Sequence, residues 1–113
     1  MEQSGFISTQ NKGFRMHFNN GFEISVQWGE MNYCTRQHDD ELNPDFVSPK
    51  ESDFWTSGSA EVAVFDKKGN MMSLGEDTVA GWLSADQVAN LIAIVSFAKN
   101  KKELNKRIKA LKL

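Results

Sequence analysis

Two stretches near the start of the chain alternate apolar and polar residues: Phe14-Arg15-Met16-His17-Phe18, then Phe22-Glu23-Ile24-Ser25-Val26-Gln27-Trp28. Period-two alternation is the mark of a strand buried on one face. Asn19-Asn20-Gly21 joins them, and its glycine accepts the left-handed conformation that closes a three-residue hairpin loop. The register follows from the pattern. With Phe18 opposite Phe22, Met16 faces Ile24 and Phe14 faces Val26, so every apolar residue meets another on one face. A two-residue turn would send the two apolar rows to opposite faces. On the polar face the same register sets His17 opposite Glu23 and Arg15 opposite Ser25, both favourable cross-strand neighbours.

A second hairpin is predicted from Ser59 to Leu74. Asp66-Lys67-Lys68-Gly69-Asn70 supplies its turn, with Asp66 facing Asn70, Phe65 facing Met71, Val64 facing Met72 and Val62 facing Leu74. Val79 to Leu83 reads as a further short strand and Phe6-Ile7-Ser8 as an edge strand.

At Ser84 the period changes. Ser84-Ala85-Asp86-Gln87 fits a capping box, Asp86 suits the positive end of the helix dipole, and Val88, Leu91, Ile92 and Val95 follow at helical spacing. Leu104, Ile108 and Leu111 continue in a register that lines up with Ile94 and Phe97 rather than Val88 and Val95. Either one long helix runs from Ser84 to about Leu111 with two faces used in turn or, the favoured reading, the chain breaks or bends near Lys99-Asn100. The expected fold is α+β in a single domain over residues 1–113. An antiparallel sheet of four to six strands, built from hairpins, occupies residues 1–83 and packs against a C-terminal helix followed by a basic helical segment, residues 84–113.

Residues 29–58 interrupt this plan. They hold both prolines, Pro44 and Pro49, with seven acids against two bases, and show no sustained period. Long loops inside a compact domain are usually functional or disordered. Two uses of the rings there stay open. Trp28, Phe46, Phe54 and Trp55 close the core from one end, or Tyr33, Arg36 and Trp55 anchor a protein interface, with the acids Asp39, Asp40, Glu41, Asp45, Glu51 and Asp53 steering a basic partner.

Composition narrows the field. The chain of 113 residues is 40% hydrophobic and 25% charged, the balance of a soluble globular domain. Its longest uncharged run, Gln87 to Ala98, is far below the roughly 20 apolar residues of a membrane helix, and no secretory signal is visible at the N-terminus. A single cysteine, Cys34, forms no internal disulfide and fits a reducing, cytoplasmic setting. The net charge of −2 conceals a division: residues 1–98 carry 14 acids and 6 bases, residues 99–113 seven bases and Glu103. An acidic body repels phosphates, so direct nucleic-acid binding is not expected.

Catalytic signals are weak. Cys34, His38, Asp39, Asp40 and Glu41 cluster, with His17 elsewhere, yet they lack the paired clip spacing of a zinc site. No nucleophile elbow surrounds Cys34 and no phosphate-cradling glycine motif occurs. The residues therefore predict neither enzyme activity, nor a metal, nor a cofactor. The basic tail reads as a helix packed on the domain, as a homodimer contact through Phe97, Leu104, Ile108 and Leu111, or as an anion contact.

The run NGFEISVQWGEMNYC, residues 20–34, with VFDKKGN and GWLSADQVANLI, resembles small uncharacterised proteins encoded by phages and prophages. That resemblance implies an accessory factor that binds and disables a host component, such as a nucleic-acid enzyme of bacterial immunity, in the host cytoplasm. The expected function is thus a non-catalytic protein-binding surface built on Tyr33, Arg36, His38, Asp39, Asp40 and Trp55. The alternative is sequestration of an anionic nucleotide at a subunit interface by Arg15, Lys102, Lys106 and Arg107.

Overall fold

The alternating stretches become strands. In the computed structural model, which describes residues 4–47, 50 and 54–113, β1 (Gly5–Ser8), β2 (Gly13–His17), β3 (Glu23–Gln27), β4 (Ala60–Phe65) and β5 (Val79–Leu83) form one antiparallel sheet in sequence order. A short helix, α1 (Asp39–Leu42), interrupts the excursion between β3 and β4, and α2 (Ala85–Phe97) and α3 (Lys101–Leu111) follow the sheet. The molecule is α+β with a five-stranded sheet.

The first hairpin has the register that alternation demands. Phe14 pairs with Val26, Met16 with Ile24, Arg15 with Ser25 and His17 with Glu23. Gly21 sits at φ 89 and its N–H donates to Phe18 O at 2.9 Å, closing the three-residue loop. On the inner face Phe22, Ile24 and Val26 are buried, continued by Val62 and Val64 of β4. β1 lies at the sheet edge, pairing Phe6 with Met16.

The second hairpin keeps its turn and loses its second arm. Asp66 N–H donates to Asn70 O at 2.8 Å, Met72 N–H to Val64 O at 2.7 Å, and Phe65 and Met71 form a bridge. Val62, however, pairs with Ala80 and not with Leu74. The chain turns away at Gly75, φ 112, where Leu74 N–H bonds Asp77 O at 2.8 Å. Met72 and Leu74 enter the core as loop residues, and Val79–Leu83 takes the place beside β4.

Ser84 caps α2 as its sequence requires. Its hydroxyl accepts from Gln87 N–H at 3.2 Å while its own N–H donates to Gln87 Oε1 at 2.9 Å. Val88, Leu91 and Val95 are buried against the sheet, a contribution of about 1.5–3 kcal/mol each on general scales. The helix stops at Phe97, and Asn100 caps a separate α3 by accepting from Glu103 N–H at 2.9 Å. Leu104 and Ile108 are then buried in the same core, 0% and 3% exposed, and Leu111 packs against it. The stripe expected as a dimer contact is therefore largely internal, because the break at residues 98–100 folds α3 back onto α2. Phe97, at 82% exposed, is the member of that set left outside.

Candidate functional site

The segment between β3 and β4 is tied to the domain by its polar groups. Trp28 and Trp55 are cross-linked reciprocally: Trp28 Nε1 donates to Trp55 O at 2.8 Å and Trp55 Nε1 to Trp28 O at 3.0 Å. Phe46 sets its edge on Trp55, and Phe14 packs edge-on with Trp28. Phe14 and Trp28 pack against the core, but Phe54, expected with Trp28, Phe46 and Trp55 to close one end of it, is 99% exposed. Phe14, Trp28 and Trp55 flank an apolar groove of about 430 Å³, completed by Val26, Ala60, Leu83 and Ile92.

Arg36 and Trp55 come together as an anchor pair. The guanidinium lies 4.7 Å from the Trp55 ring centre, Nε donates to Thr56 O at 2.6 Å, and Nη1 lies 3.3 Å from Asp39 Oδ2. Both side chains remain half-buried, so the pair is held in place without being sealed. His38 takes a left-handed conformation, φ 67, ahead of α1, and its Nδ1 lies 3.1 Å from Glu41 Oε2. Asp40 and Asp45 are exposed. Glu51 and Asp53, expected to steer a partner, lie outside the described residues. The Cys34 thiol is buried and donates to Gly29 O at 3.3 Å.

Glu30 closes the start of the excursion through Lys12, at 2.9 Å. Burial pushes its carboxyl up, but the Lys12 hydrogen bond, its own backbone N–H and the Lys12 charge outweigh this and hold it below the usual carboxylate range.

Tyr33 stands apart from Arg36 and Trp55. Its N–H donates to Glu61 Oε2 at 2.9 Å, its carbonyl accepts from Trp82 N–H at 2.8 Å, and its ring stacks on Trp82 with centres 5.6 Å apart at 25°. Trp82 is a surface residue that sequence reasoning missed. Ala60 pairs with Leu83 and Val62 with Ala80, so Glu61 alone faces both Gly81 and Trp82. Strict alternation from a buried Ala80 would turn Trp82 inward and Leu83 outward. The extra residue restores Leu83 to the core, 4% exposed, and leaves Trp82 57% exposed. Trp82 sits at φ 52, a conformation that costs a bulky residue of order 1–3 kcal/mol. Gly81 makes room, since a Cβ there would lie 2.7 Å from Tyr33 Cβ. The available sequence signal was Val79-Ala80-Gly81-Trp82-Leu83, a glycine inside a strand whose apolar positions break period two.

The cationic residues do not gather into one site. Arg15 pairs with Glu23 on the outer face of the sheet, over the Phe65 ring, in a cleft lined also by Ile7, His17, Asp66 and the turn 67–69, which no tail residue enters. Lys102 and Lys106 are exposed on α3, and Arg107 Nε lies 3.5 Å from Glu103 on the same helix. Among the described residues no helix is long and apolar enough to cross a membrane.

Compared with protein-family models, curated proteins and solved structures, the chain gives no match.

Proposed function

We propose that this is a non-catalytic binding protein that recognises a basic surface on a partner protein through the excursion between β3 and β4. One observation carries the reading. Among the described residues, ten large hydrophobic side chains are exposed, and five of them, Met31, Tyr33, Leu42, Val47 and Phe54, lie between residues 29 and 58. Exposed apolar side chains concentrated in one segment indicate an interaction surface, and Phe54 is 99% exposed. The same segment has seven acids against two bases, the charge pattern that draws in a cationic partner and sets its register. Arg36 stacked on Trp55 supplies the residue types enriched where interfaces hold most of their binding energy. In the setting implied by the resemblance to phage-encoded accessory proteins, the partner is a host protein such as a nucleic-acid enzyme.

The test is co-purification from bacterial lysate with four proteins compared side by side. A Met31→Ser, Phe54→Ser variant and an Asp39→Lys, Asp40→Lys variant should each lose a partner that the wild type and a Phe97→Ser control retain. Retention of every partner by both excursion variants would overturn the reading.

A further inference from the structure

The bulge in β5 returns Leu83 to the core, but that packing does not require an indole at position 82. The bulge opposite Glu61 and the left-handed backbone of Trp82 place an indole on the surface at the expense of strand regularity. Glycine would satisfy the same backbone without strain. Tyr33 covers one face of the indole and is itself fixed by backbone bonds to Glu61 and Trp82. The indole N–H groups of Trp28 and Trp55 are engaged with carbonyls, whereas Trp82 Nε1 bonds to no group among the described residues. A bulge that re-aims one side chain outward, with backbone strain retained, points to use of that side chain.

We propose that the exposed face of Trp82 is the seat for an arginine side chain of the partner, so that the docking segment of that partner is arginine-rich. This rests on the protein-binding reading and names its chemistry. The indole face is the most favourable aromatic surface for a cation, and a planar guanidinium stacks on it better than an ammonium does. The same pairing already occurs twice within the chain, Arg36 over Trp55 and Arg15 over Phe65, each at 4.7 Å. Charge selects the ligand further. Glu61, opposite the bulge, brings a carboxylate onto Tyr33 N–H at 2.9 Å, and residues 1–98 carry 14 acids against 6 bases, which favours a cation and opposes a nucleobase attached to phosphate.

The experiment is a two-dimensional amide NMR titration of the full chain with an amidated Gly-Arg-Gly-Arg-Gly peptide. The controls are its citrulline counterpart, which keeps shape and loses charge, and a short oligothymidylate. The arginine peptide should move the Trp82 indole and Tyr33 amide signals saturably, leaving the Trp28 and Trp55 indoles in place. Its binding should be roughly threefold to tenfold tighter than that of the citrulline peptide. Trp82→Gly, whose backbone suits the left-handed conformation, should keep the melting temperature and abolish the Tyr33 shift. Equal response to citrulline, preference for the oligonucleotide, or a still Trp82 signal would each overturn the proposal. A still Trp82 with movement confined to residues 29–47 would do so while leaving the excursion as the binding surface. The wild-type titration decides without the variant.

Discussion

At the scale of single residues, Asp66 shows how one carboxylate joins three parts of the chain. Oδ1 accepts from the backbone N–H groups of Lys68 and Asn70, both at 2.9 Å, and Oδ2 pairs with Lys101 Nζ at 3.0 Å. The turn after β4 and the first residue of α3 thus share one anion. The backbone bond from Asn70 and then the Lys101 bond hold its carboxyl below the ordinary 3.8. A carboxylate whose folded pKa lies below its unfolded value stabilises the fold fully above the unfolded value, and that contribution is lost as pH falls through the folded one. Wild-type stability should therefore decline as pH falls below about 4 more steeply than that of Asp66→Asn. Urea midpoints collected across that range check this. Parallel curves for the two proteins would show that the pairing is energetically idle. Glu30 shifts in the same direction through Lys12, so a shallower decline should persist in Asp66→Asn.

At the scale of elements, the hairpin turn between β2 and β3 also terminates α2. Asn20 Nδ2 donates to Val95 O at 2.8 Å, Ala98 O at 3.0 Å and Ser96 O at 3.3 Å, and Asn20 Oδ1 accepts from Phe22 N–H at 3.1 Å. Val95 and Ser96 lie in the last turn of α2 and Ala98 is its C-cap, where carbonyls run out of regular helical partners; Val95 O also accepts the Ala98 N–H at 3.4 Å. Asn20→Ala should cost about 1–3 kcal/mol, the penalty of leaving partly buried polar groups unpaired. The measurement is an equilibrium urea titration, and an unchanged midpoint would show water replacing the amide. None of this was legible in the sequence, because the partners lie 75 to 78 residues away. The parts that were legible are local. The register of β2 and β3 follows from alternation and Gly21, the start of α2 from Ser84 and Gln87, and the break before α3 from two apolar registers that do not line up. Pairing of β4 with β5 escaped because two segments competed for one edge and only tertiary packing chose between them. In the candidate site, Arg36, Asp39 and Trp55 were singled out from residue type, and the structure sets them side by side. Tyr33 was placed with them but has a different companion, since a bulge hides Trp82 from any argument based on period.

At the scale of the whole molecule, the decisive question is whether the C-terminal helices complete one chain or join two. The stripe on α3 suited either use when only its spacing was known. The structure commits Leu104 and Ile108 to the interior, at 0% and 3% exposure, together with Leu91 and Val95 of α2. A side chain buried within its own chain has no surface left to offer a second copy, so of the expected contact the exposed Phe97 and the half-buried Leu111 are what association could draw on. Leu104→Ala should therefore destabilise the chain by about 2–5 kcal/mol, the usual loss for an emptied leucine site in a core. Phe97→Ser should stay within about 0.5 kcal/mol of the wild type, as substitutions of exposed residues do. The unfolding midpoint should not move when protein concentration is raised a hundredfold, because mass action stabilises only a fold that depends on a partner. A rising midpoint, flattened by Phe97→Ser, would instead make the end of α2 a subunit contact. With a constant midpoint the basic residues of α3 and the acidic excursion remain surfaces of a single chain, each open to whatever the molecule binds.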